Sequence, residues 1–384
     1  MKNPRLLPAV VLAWALLVAL STGAAAQTGK ARATEELRRL WRETGVPSIA
    51  VAVARDQKLL FSDGIGYADL ESLSRAGPTT VYNIGSISKV MAAVAVLQLV
   101  ERGEVSLDDP IQKYLPAFPD KGTPITLRHL MTHTSGIRHY RPDDFPGEPW
   151  ADNVATYDSI EAAVEIFEDD PLLFAPGEYY RYSSYAVNLL QGVVEAASGL
   201  GFEVYMRRRV WAPAGMLSSS FDLPERIVTG RARGYEIVDG EVVNYYPNEN
   251  VTYKFAGGGM LSTVEDLVRF GVAITSHRLL GEEISTEMLE PQLDDIQVFE
   301  GEDPPSDLRW EQALMWRIRR DEADRPYLHH CGQVKGFNAC LIIYRDEDLI
   351  VAIIDNGSGG AADLRGARGF AEIFRREEGG ESLE

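Results

Sequence analysis

The residues with the clearest chemical potential are Ser86 and Lys89, a serine and a lysine three positions apart. They open a predicted apolar helix that runs to about Arg102 and ends at Gly103. A serine on the first turn of a helix lies beside unpaired backbone N–H groups, and the lysine shares its face one turn deeper. Burial favours the uncharged amine of a lysine, which can then accept a proton. The spacing indicates a serine nucleophile with a lysine base, or, as the alternative, a capping serine beside a solvated lysine.

Two further stretches combine polar residues and glycine in a way that could complete such a site. Residues 176–184 read Pro-Gly-Glu-Tyr-Tyr-Arg-Tyr-Ser-Ser, and residues 330–332 read His-Cys-Gly within a predicted strand. The order Ser-x-x-Lys, Tyr-Ser-Ser, His-Cys-Gly resembles the serine β-lactamase and penicillin-binding-protein family, in particular its class C and D-alanyl-D-alanine-carboxypeptidase-like branch. Supporting strings lie at 125–137 and 256–267, and the resemblance extends over about 34–375. Residues 86–89 and 132–140 also resemble the LACTB-type branch of lactamase-like proteins.

The resemblance implies a role for each residue of the catalytic centre. Ser86 would be acylated, Lys89 would take or share its proton, and Tyr182 would deliver a proton to the leaving group. The backbone N–H groups of Ser86 and Gln333 would form an oxyanion hole, in which each donor typically contributes about 3 kcal/mol. The resemblance implies no metal and no organic cofactor.

Three further residues are implied as substrate contacts, and two of them depart from the family pattern. Gly332 would let the substrate backbone lie close to the strand edge. His330 stands where the family has lysine, so its hold on a substrate carboxylate should weaken above a pKa of about 6.5. Ser184 replaces an asparagine that holds the amide of a β-lactam or peptide side chain, which puts both substrates in doubt.

The only two cysteines of the chain, Cys331 and Cys340, lie in and beside the third motif. If Lys335 and Gly336 form a two-residue hairpin turn, Cys331 faces Cys340 directly across the strand pair. An exported protein could form that disulfide. A longer turn would break the register and leave both thiols free.

Hydrophobic periodicity places strands at both ends of the chain and helices between them. Strands are predicted at Ser48–Ala54, Lys58–Ser62, Ala313–Ile318, Tyr327–Cys331, Phe337–Tyr344 and Leu349–Ile354. Further helices are predicted at Thr34–Thr44, Thr126–Thr132, Ser159–Phe167, Tyr185–Ser198, 262–275 and Ala362–Arg376, with capping boxes at Asp158/Glu161 and Ser262/Glu265. The acidic stretch 293–310 is predicted to be an exposed loop, and 377–384 a loose tail.

These elements predict an α/β (α+β) fold in which helices flank a mainly antiparallel sheet and a mostly helical lobe is inserted. We expect one catalytic domain over 27–384. Its α/β lobe would comprise about 33–90 and 250–376, and its helical lobe about 91–249. The cleft between the lobes would hold the site.

Composition and the N-terminus limit where this protein could act. The 384 residues include 38 basic and 57 acidic side chains, a net charge of −19, so nucleic acids and anionic membranes are unexpected partners. Residues 1–26 carry Lys2, Arg5, an apolar run over 6–20 and three alanines at 24–26, which predicts a cleaved signal peptide. We therefore expect a periplasmic or secreted protein that acts on a small-molecule or peptide acyl substrate, with its oligomeric state open.

Other residue patterns favour structural roles. His129 and His133 have a spacing that could hold zinc, but no glutamate lies between them and no third ligand is evident, so packing or capping is favoured. A cysteine hydrolase built on Cys331 and His329 is disfavoured because a strand thiol lacks a helix N-terminus to lower its pKa. Residues 257–259 lack the lysine and the strand-to-helix context of a phosphate loop, so we expect a tight turn.

Three functions use the same serine differently. The leading hypothesis is an exported acyl-enzyme hydrolase of esters, amides or D-amino-acid peptides. A β-lactamase or DD-carboxypeptidase is the second, weakened by Ser184 and His330. The third is a weakly catalytic, self-assembling LACTB-like scaffold.

Overall fold

The computed structural model describes residues 28–147, 153–245, 249–293, 297–299 and 310–379. The predicted signal peptide at 1–26 lies outside this part of the chain, as do most of the acidic stretch 293–310 and the last residues of the predicted tail. Within the described ranges, no helix combines the length and the apolar character needed to cross a membrane.

Within the described residues, strands from the two ends of the chain form one large sheet, and the other strands form three small sheets. They are β1 Ser48–Arg55, β2 Lys58–Asp69, β3 Ser74–Arg75, β4 Tyr82–Asn83, β5 Tyr179–Tyr180, β6 Ser220–Phe221, β7 Tyr235–Val238, β8 Glu241–Asn244, β9 Met260–Ser262, β10 Gln297–Val298, β11 Glu311–Gln312, β12 Arg317–Arg320, β13 Pro326–Val334, β14 Phe337–Tyr344 and β15 Leu349–Asp355. The large sheet has eight strands in the order β11-β12-β13-β14-β15-β1-β2-β3. All of its neighbouring strands pair antiparallel, as predicted.

Helices cover both faces of this sheet and fill the middle of the chain. They are α1 28–44, α2 Ile87–Glu101, α3 Leu127–Met131, α4 Ile160–Val164, α5 Ser184–Ser198, α6 Phe202–Tyr205, α7 Ala212–Ala214, α8 Phe255–Gly258, α9 Val264–Thr275, α10 Glu282–Leu289 and α11 Leu364–Gly379. Short 3₁₀ turns lie at Ile111–Lys113, Val251–Lys254 and Arg345–Glu347, and a π-helical segment at Met206–Trp211.

The side chains of strand β1 pack into two hydrophobic cores, one on each face of the large sheet. Its Ile49, Val51 and Val53 point to the layer formed by α1 and α11, where Phe370 and Phe374 pack. Its intervening alanines point to the opposite layer, which contains α2, α5 and α9. Side chains alternate between the faces of a strand, so branched residues fill one layer while alanines let helices lie close to the sheet on the other.

Helix α2 lies at the centre of the molecule. Every residue from Ile87 to Leu99 is buried, and the helix packs against α5, α8 and β13. Without a polar face it could not lie on the surface, as the sequence predicts. Its first turn therefore lies where the helical layer meets the sheet.

The structure corrects several local predictions. Residues 313–318 are not one strand, because β11 ends at Gln312 and β12 begins at Arg317. The helix caps lie at Ser159 and Thr263, whose side chains accept from the backbone N–H groups three residues on, rather than at Asp158 and Ser262. Helix α11 continues to Gly379, into the region predicted to be a loose tail.

Of the two alternatives left open for the cysteines, the structure has the disulfide. Val334 pairs with Phe337, which leaves Lys335 and Gly336 as a two-residue turn with Gly336 at φ +79°. In that register Cys331 faces Cys340, and the two are bonded. The disulfide therefore joins β13 to β14 close to the turn.

Candidate active site

Ser86 lies at the junction between β4 and α2. Gly85 adopts φ +49°, a left-handed conformation that favours glycine, and turns the chain into the helix. Ser86 occupies the N-cap position, yet its side chain makes no capping hydrogen bond. The hydroxyl of Ser88 donates to the Gly85 carbonyl over 2.7 Å and accepts from the Met260 N–H over 3.2 Å. Because Ser88 stabilises the turn, the hydroxyl of the partly exposed Ser86 can form hydrogen bonds with other side chains.

Those partners are Lys89 and Tyr182. Lys89 Nζ lies 3.0 Å from Ser86 Oγ, and the Tyr182 hydroxyl lies 2.7 Å from the same oxygen. The two groups also meet each other, with Lys89 Nζ 4.9 Å from the centroid of the Tyr182 ring. Three residues from two distant parts of the sequence thus converge on one oxygen atom.

Lys89 is completely buried, and its amine also donates to the Gly257 carbonyl. Burial lowers the pKa of Lys89 well below its ordinary value, and the positive charges of Lys254 and Arg317 add to this effect. The apolar helix around Lys89 predicts the direction of this shift. An uncharged amine beside a serine hydroxyl can accept its proton.

Aromatic neighbours hold Tyr182 in place. The ring of His133 lies 4.5 Å from the Tyr182 ring and that of His139 lies 5.4 Å away, measured between centroids. His133 Nδ1 accepts from the Ser183 N–H over 3.3 Å, and His139 Nδ1 accepts from the Ser184 N–H over 3.1 Å. Burial lowers the pKa of both histidines, that of His139 to about 3, so they pack here as neutral rings.

The backbone around Gly332 explains why β13 can lie beside the catalytic turn. A Cβ on Gly332 would collide with the Ile84 carbonyl and lie 2.7 Å from the Ser86 nitrogen. The protein's own backbone therefore requires glycine at this position. The close approach brings Gln333, which follows Gly332 and is exposed, next to the start of α2.

His330 is buried, with only 2% of its surface exposed, and its Nδ1 lies 2.7 Å from the Met315 carbonyl oxygen. Burial lowers the pKa of His330 well below its ordinary value, and Arg317 and Lys89 reinforce that shift. The imidazole is therefore neutral near pH 7. The expectation that charge on His330 fades above about pH 6.5 needs correction, since that charge is lost at lower pH.

Ser184 is also buried. It is the first residue of α5, 3% of its surface is exposed, and its hydroxyl bonds to that of Tyr140. Its predicted role as a substrate contact has little support in this geometry, because the side chain already faces a protein partner.

Two cations near the catalytic residues were missed in the sequence. Arg317 on β12 places its guanidinium carbon 5.3 Å from the centroid of the Tyr182 ring and donates to the Tyr180 hydroxyl over 3.3 Å. Lys254 is buried at the end of a 3₁₀ turn and pairs with Glu249 over 2.7 Å. No motif marks either residue, because each depends on how β12 and α8 pack around α2.

A cavity of about 430 Å³ opens beside these groups. Its lining residues include Gln333, which meets Gly85, His139, which packs against Tyr182, and Lys254, which interacts electrostatically with Lys89. Its remaining wall is rich in aromatic rings, namely Tyr140, Phe145, Tyr245, Tyr253 and Phe337. The cavity can accommodate an apolar or aromatic group attached to the reacting carbonyl.

The histidine pair considered for zinc has structural partners instead. His129 Nδ1 accepts from the Thr126 N–H, while the Thr126 hydroxyl accepts from the His129 N–H, which completes a capping box at α3. His133 Nδ1 bonds to the backbone of Ser183. The glycines at 257–259 end α8 and lead into β9. Within α8, Gly257 packs against Asn188. They form a short helical turn rather than an isolated tight turn.

Comparison with known proteins gives similarity over most of the chain. The mitochondrial serine beta-lactamase-like protein LACTB of Homo sapiens is 29% identical over 81% of this chain and 71% of its own length. The esterase EstB of Burkholderia gladioli is 30% identical over 62% of this chain and 67% of its own length.

Solved structures share the fold. The octameric penicillin-binding protein homologue from Pyrococcus abyssi has a TM-score of 0.77 at 24% identity, over 90% of this chain and 77% of that one. A D-stereospecific amidohydrolase from a Streptomyces species has a TM-score of 0.69 at 21% identity, over 94% of this chain and 99% of that one. The family model for Beta-lactamase matches residues 33–373. With that match across nearly the whole described chain, this protein belongs to the β-lactamase family.

Proposed function

We propose that this protein is a serine hydrolase that forms an acyl-enzyme on Ser86. The observation that carries the proposal is the convergence on Ser86 Oγ, 3.0 Å from the buried Lys89 amine and 2.7 Å from the Tyr182 hydroxyl. A serine hydroxyl alone is a poor nucleophile, and a neutral amine at this distance supplies the base it needs.

The reaction proceeds in two halves. In the first, Lys89 Nζ accepts the Ser86 proton while Oγ bonds to the substrate carbonyl carbon, and the N–H groups of Ser86 and Gln333 stabilise the resulting oxyanion. Tyr182 relays a proton to the leaving alcohol or amine as its bond to carbon breaks. In the second half, water attacks the Ser86 ester, gives up a proton to the same groups and releases the acid, which restores the Ser86 hydroxyl.

The substrates we propose are esters, amides or D-amino-acid peptides. A relative named as an esterase and a structural neighbour named as a D-stereospecific amidohydrolase support this range. A β-lactamase or DD-carboxypeptidase activity is less favoured, because Ser184 is buried and has no amide to hold the substrate. For a substrate carboxylate, Arg317 offers the permanent positive charge that the neutral His330 lacks.

The proposed setting is the periplasm or the exterior of the cell. The basic, apolar and small-residue pattern of residues 1–26 supports export, after which 27–384 would act as one catalytic domain. The disulfide between Cys331 and Cys340 fits an oxidising compartment.

Turnover of a panel of substrates tests the proposal. A p-nitrophenyl ester, a D-alanyl amide and a penicillin are compared on the wild type, Ser86→Ala and Tyr182→Phe. We expect no turnover from Ser86→Ala and a loss of about 10²–10⁴-fold from Tyr182→Phe. Tyr179→Phe is the matched control, because Tyr179 packs against Phe174 and Phe299.

Each outcome of the panel has a meaning. Unchanged turnover in Ser86→Ala would overturn the assignment of the nucleophile. An unchanged rate in Tyr182→Phe would remove the proton-transfer role from Tyr182, and a loss in Tyr179→Phe would then assign that role to Tyr179. A wild type that turns over none of the three and forms no covalent adduct would favour the self-assembling scaffold.

A further inference from the structure

Two lysine side chains contact the same short helix, α8. Lys89 Nζ donates to the Gly257 carbonyl, and the Lys254 side chain runs past the next residue, with its Cδ 3.8 Å from where a Cβ on Gly258 would lie. Both side chains are buried, Lys89 completely and Lys254 to 6% exposure. Helix α8 is thus the shared contact between the lysine proposed as the base and a second, unassigned lysine.

Glu249 keeps the second lysine charged. Lys254 Nζ lies 2.7 Å from Glu249 Oε1, and the Tyr253 hydroxyl donates to the same oxygen over 2.7 Å. Burial, the largest single influence, lowers the pKa of Lys254, but the Glu249 carboxylate together with Tyr140 and Tyr182 raises it overall. The ammonium lies 5.1 Å from the Tyr253 ring and 5.5 Å from the Tyr140 ring, distances at which aromatic faces stabilise a cation.

We propose that Lys254 is a positioning residue that acts through Lys89. Glu249 holds a positive charge on Lys254 beside α8, the helix that Lys89 also contacts, and that charge keeps Lys89 as the uncharged amine that accepts the Ser86 proton. The inference rests on the proposed function, in which Lys89 is the base. Two buried like charges repel strongly, so the lysine without a carboxylate partner gives up its proton.

Other groups around Lys89 set how large this effect is. Arg317 faces it from β12 and also disfavours its charged form. His133 and His139 from the segment after α3 and His330 from β13 interact with Lys89 electrostatically, and burial holds all three neutral. Tyr182 and Ser86 complete the surroundings as hydroxyl partners. Removing the charge on Lys254 should therefore shift the protonation of Lys89 without abolishing the neutral form.

The test is the pH dependence of the rate at which a fluorophosphonate phosphonylates Ser86 and releases fluoride, measured on the full chain. The acidic limb of that profile reports the protonation of the base. In Lys254→Met we expect the limb to move up by about one pH unit, with a rate near that of the wild type at alkaline pH. Lys254→Arg should return the limb to its original position. Lys335→Met, which removes a lysine from the rim of the same cavity, should leave the limb unmoved.

A double variant separates the effect of the Lys254 charge on Lys89 from the effect of the Glu249 charge. Lys254→Met leaves Glu249 unpaired, and that carboxylate could itself favour a charged Lys89. In Lys254→Met/Glu249→Gln both charges are gone, and we expect a limb that still lies above the wild-type position.

Two results would overturn the proposal. One is a double variant whose limb coincides with that of the wild type, and the other is a Lys254→Met rate that falls equally at every pH. A wild type that never reacts at Ser86 would instead remove the proposed function, so the two failures are distinguishable.

Discussion

Gly85 and Gln333 meet backbone to backbone at the start of α2, so closely that a Cβ on Gly85 would lie 2.8 Å from the Gln333 nitrogen. This contact joins the catalytic turn to β13. It fixes the distance between the two N–H groups proposed as the oxyanion hole, those of Ser86 and Gln333. Stabilisation of a developing oxyanion depends on donors that are already in place.

Gly85→Ala should therefore damage catalysis far more than folding. The new Cβ would push β13 away, and we expect kcat/KM to fall by about 10²–10³-fold, the effect of losing one oxyanion donor. Gly103→Ala is the matched control, because Gly103 also has positive φ, +70°, but no atom lies within 4 Å of its Cβ position. Both variants carry a similar backbone strain of about 1 kcal/mol, so equal losses of activity would contradict the account.

Much of this fold could be predicted from local sequence. The apolar run after Ser86 predicts a buried helix, and the two-residue turn at Lys335 and Gly336 sets the register that pairs Cys331 with Cys340. These features depend on periodicity and turn chemistry, which short stretches of sequence carry.

Tertiary contacts explain what the sequence could not indicate. Whether His330 is charged depends on its burial beside Met315 and Arg317, and neither neighbour is close to it in sequence. Gly332 is required because β13 packs directly on the Ile84 carbonyl, a contact that the motif itself does not indicate. Arg317 and Lys254 have no sequence signal because only the packing of β12 and α8 brings them to Tyr182 and Lys89.

Arg317 should govern the use of substrates that carry a carboxylate. In Arg317→Met we expect KM for such a substrate to rise about tenfold or more, the loss of one charge-assisted hydrogen bond, while a neutral ester is affected less. Steady-state kinetics on a matched pair of substrates, an acid and its methyl ester, measures the difference. His330→Gln is the comparison, since a neutral ring should contribute little selectivity between the two. A larger loss of selectivity in His330→Gln than in Arg317→Met would contradict this assignment.

Asp355 should make stability depend on pH. This carboxyl group is completely buried at the end of β15, where it accepts from Asn338 Nδ2 over 2.9 Å and from the Ala362 N–H over 2.8 Å. Burial raises its pKa to about 6 despite these hydrogen bonds. Because the folded state binds the proton more tightly than the unfolded state, the stabilisation is full below about pH 4 and is lost as pH rises through 6, by up to about 3 kcal/mol.

Asp355→Asn removes this dependence. Urea unfolding at pH 5 and pH 8 gives the free energy of unfolding of both proteins. We expect the free energy of unfolding of the wild type to exceed that of Asp355→Asn by more at pH 5 than at pH 8. The other titrating groups are the same in both proteins, so their contributions cancel when the two free energies are subtracted. The same difference at both pH values would show that Asp355 does not titrate in this range.

Ser86 Oγ is the atom that should form the covalent bond, and mass spectrometry after fluorophosphonate treatment identifies the bonded residue. We expect one adduct per chain, located at Ser86 by peptide mapping and absent in Ser86→Ala. Ser88→Ala, which alters a buried hydroxyl two residues away, should still be labelled at Ser86. Lys89→Met should react several powers of ten more slowly. An adduct that persists in Ser86→Ala, or wild-type labelling kinetics in Lys89→Met, would contradict the account.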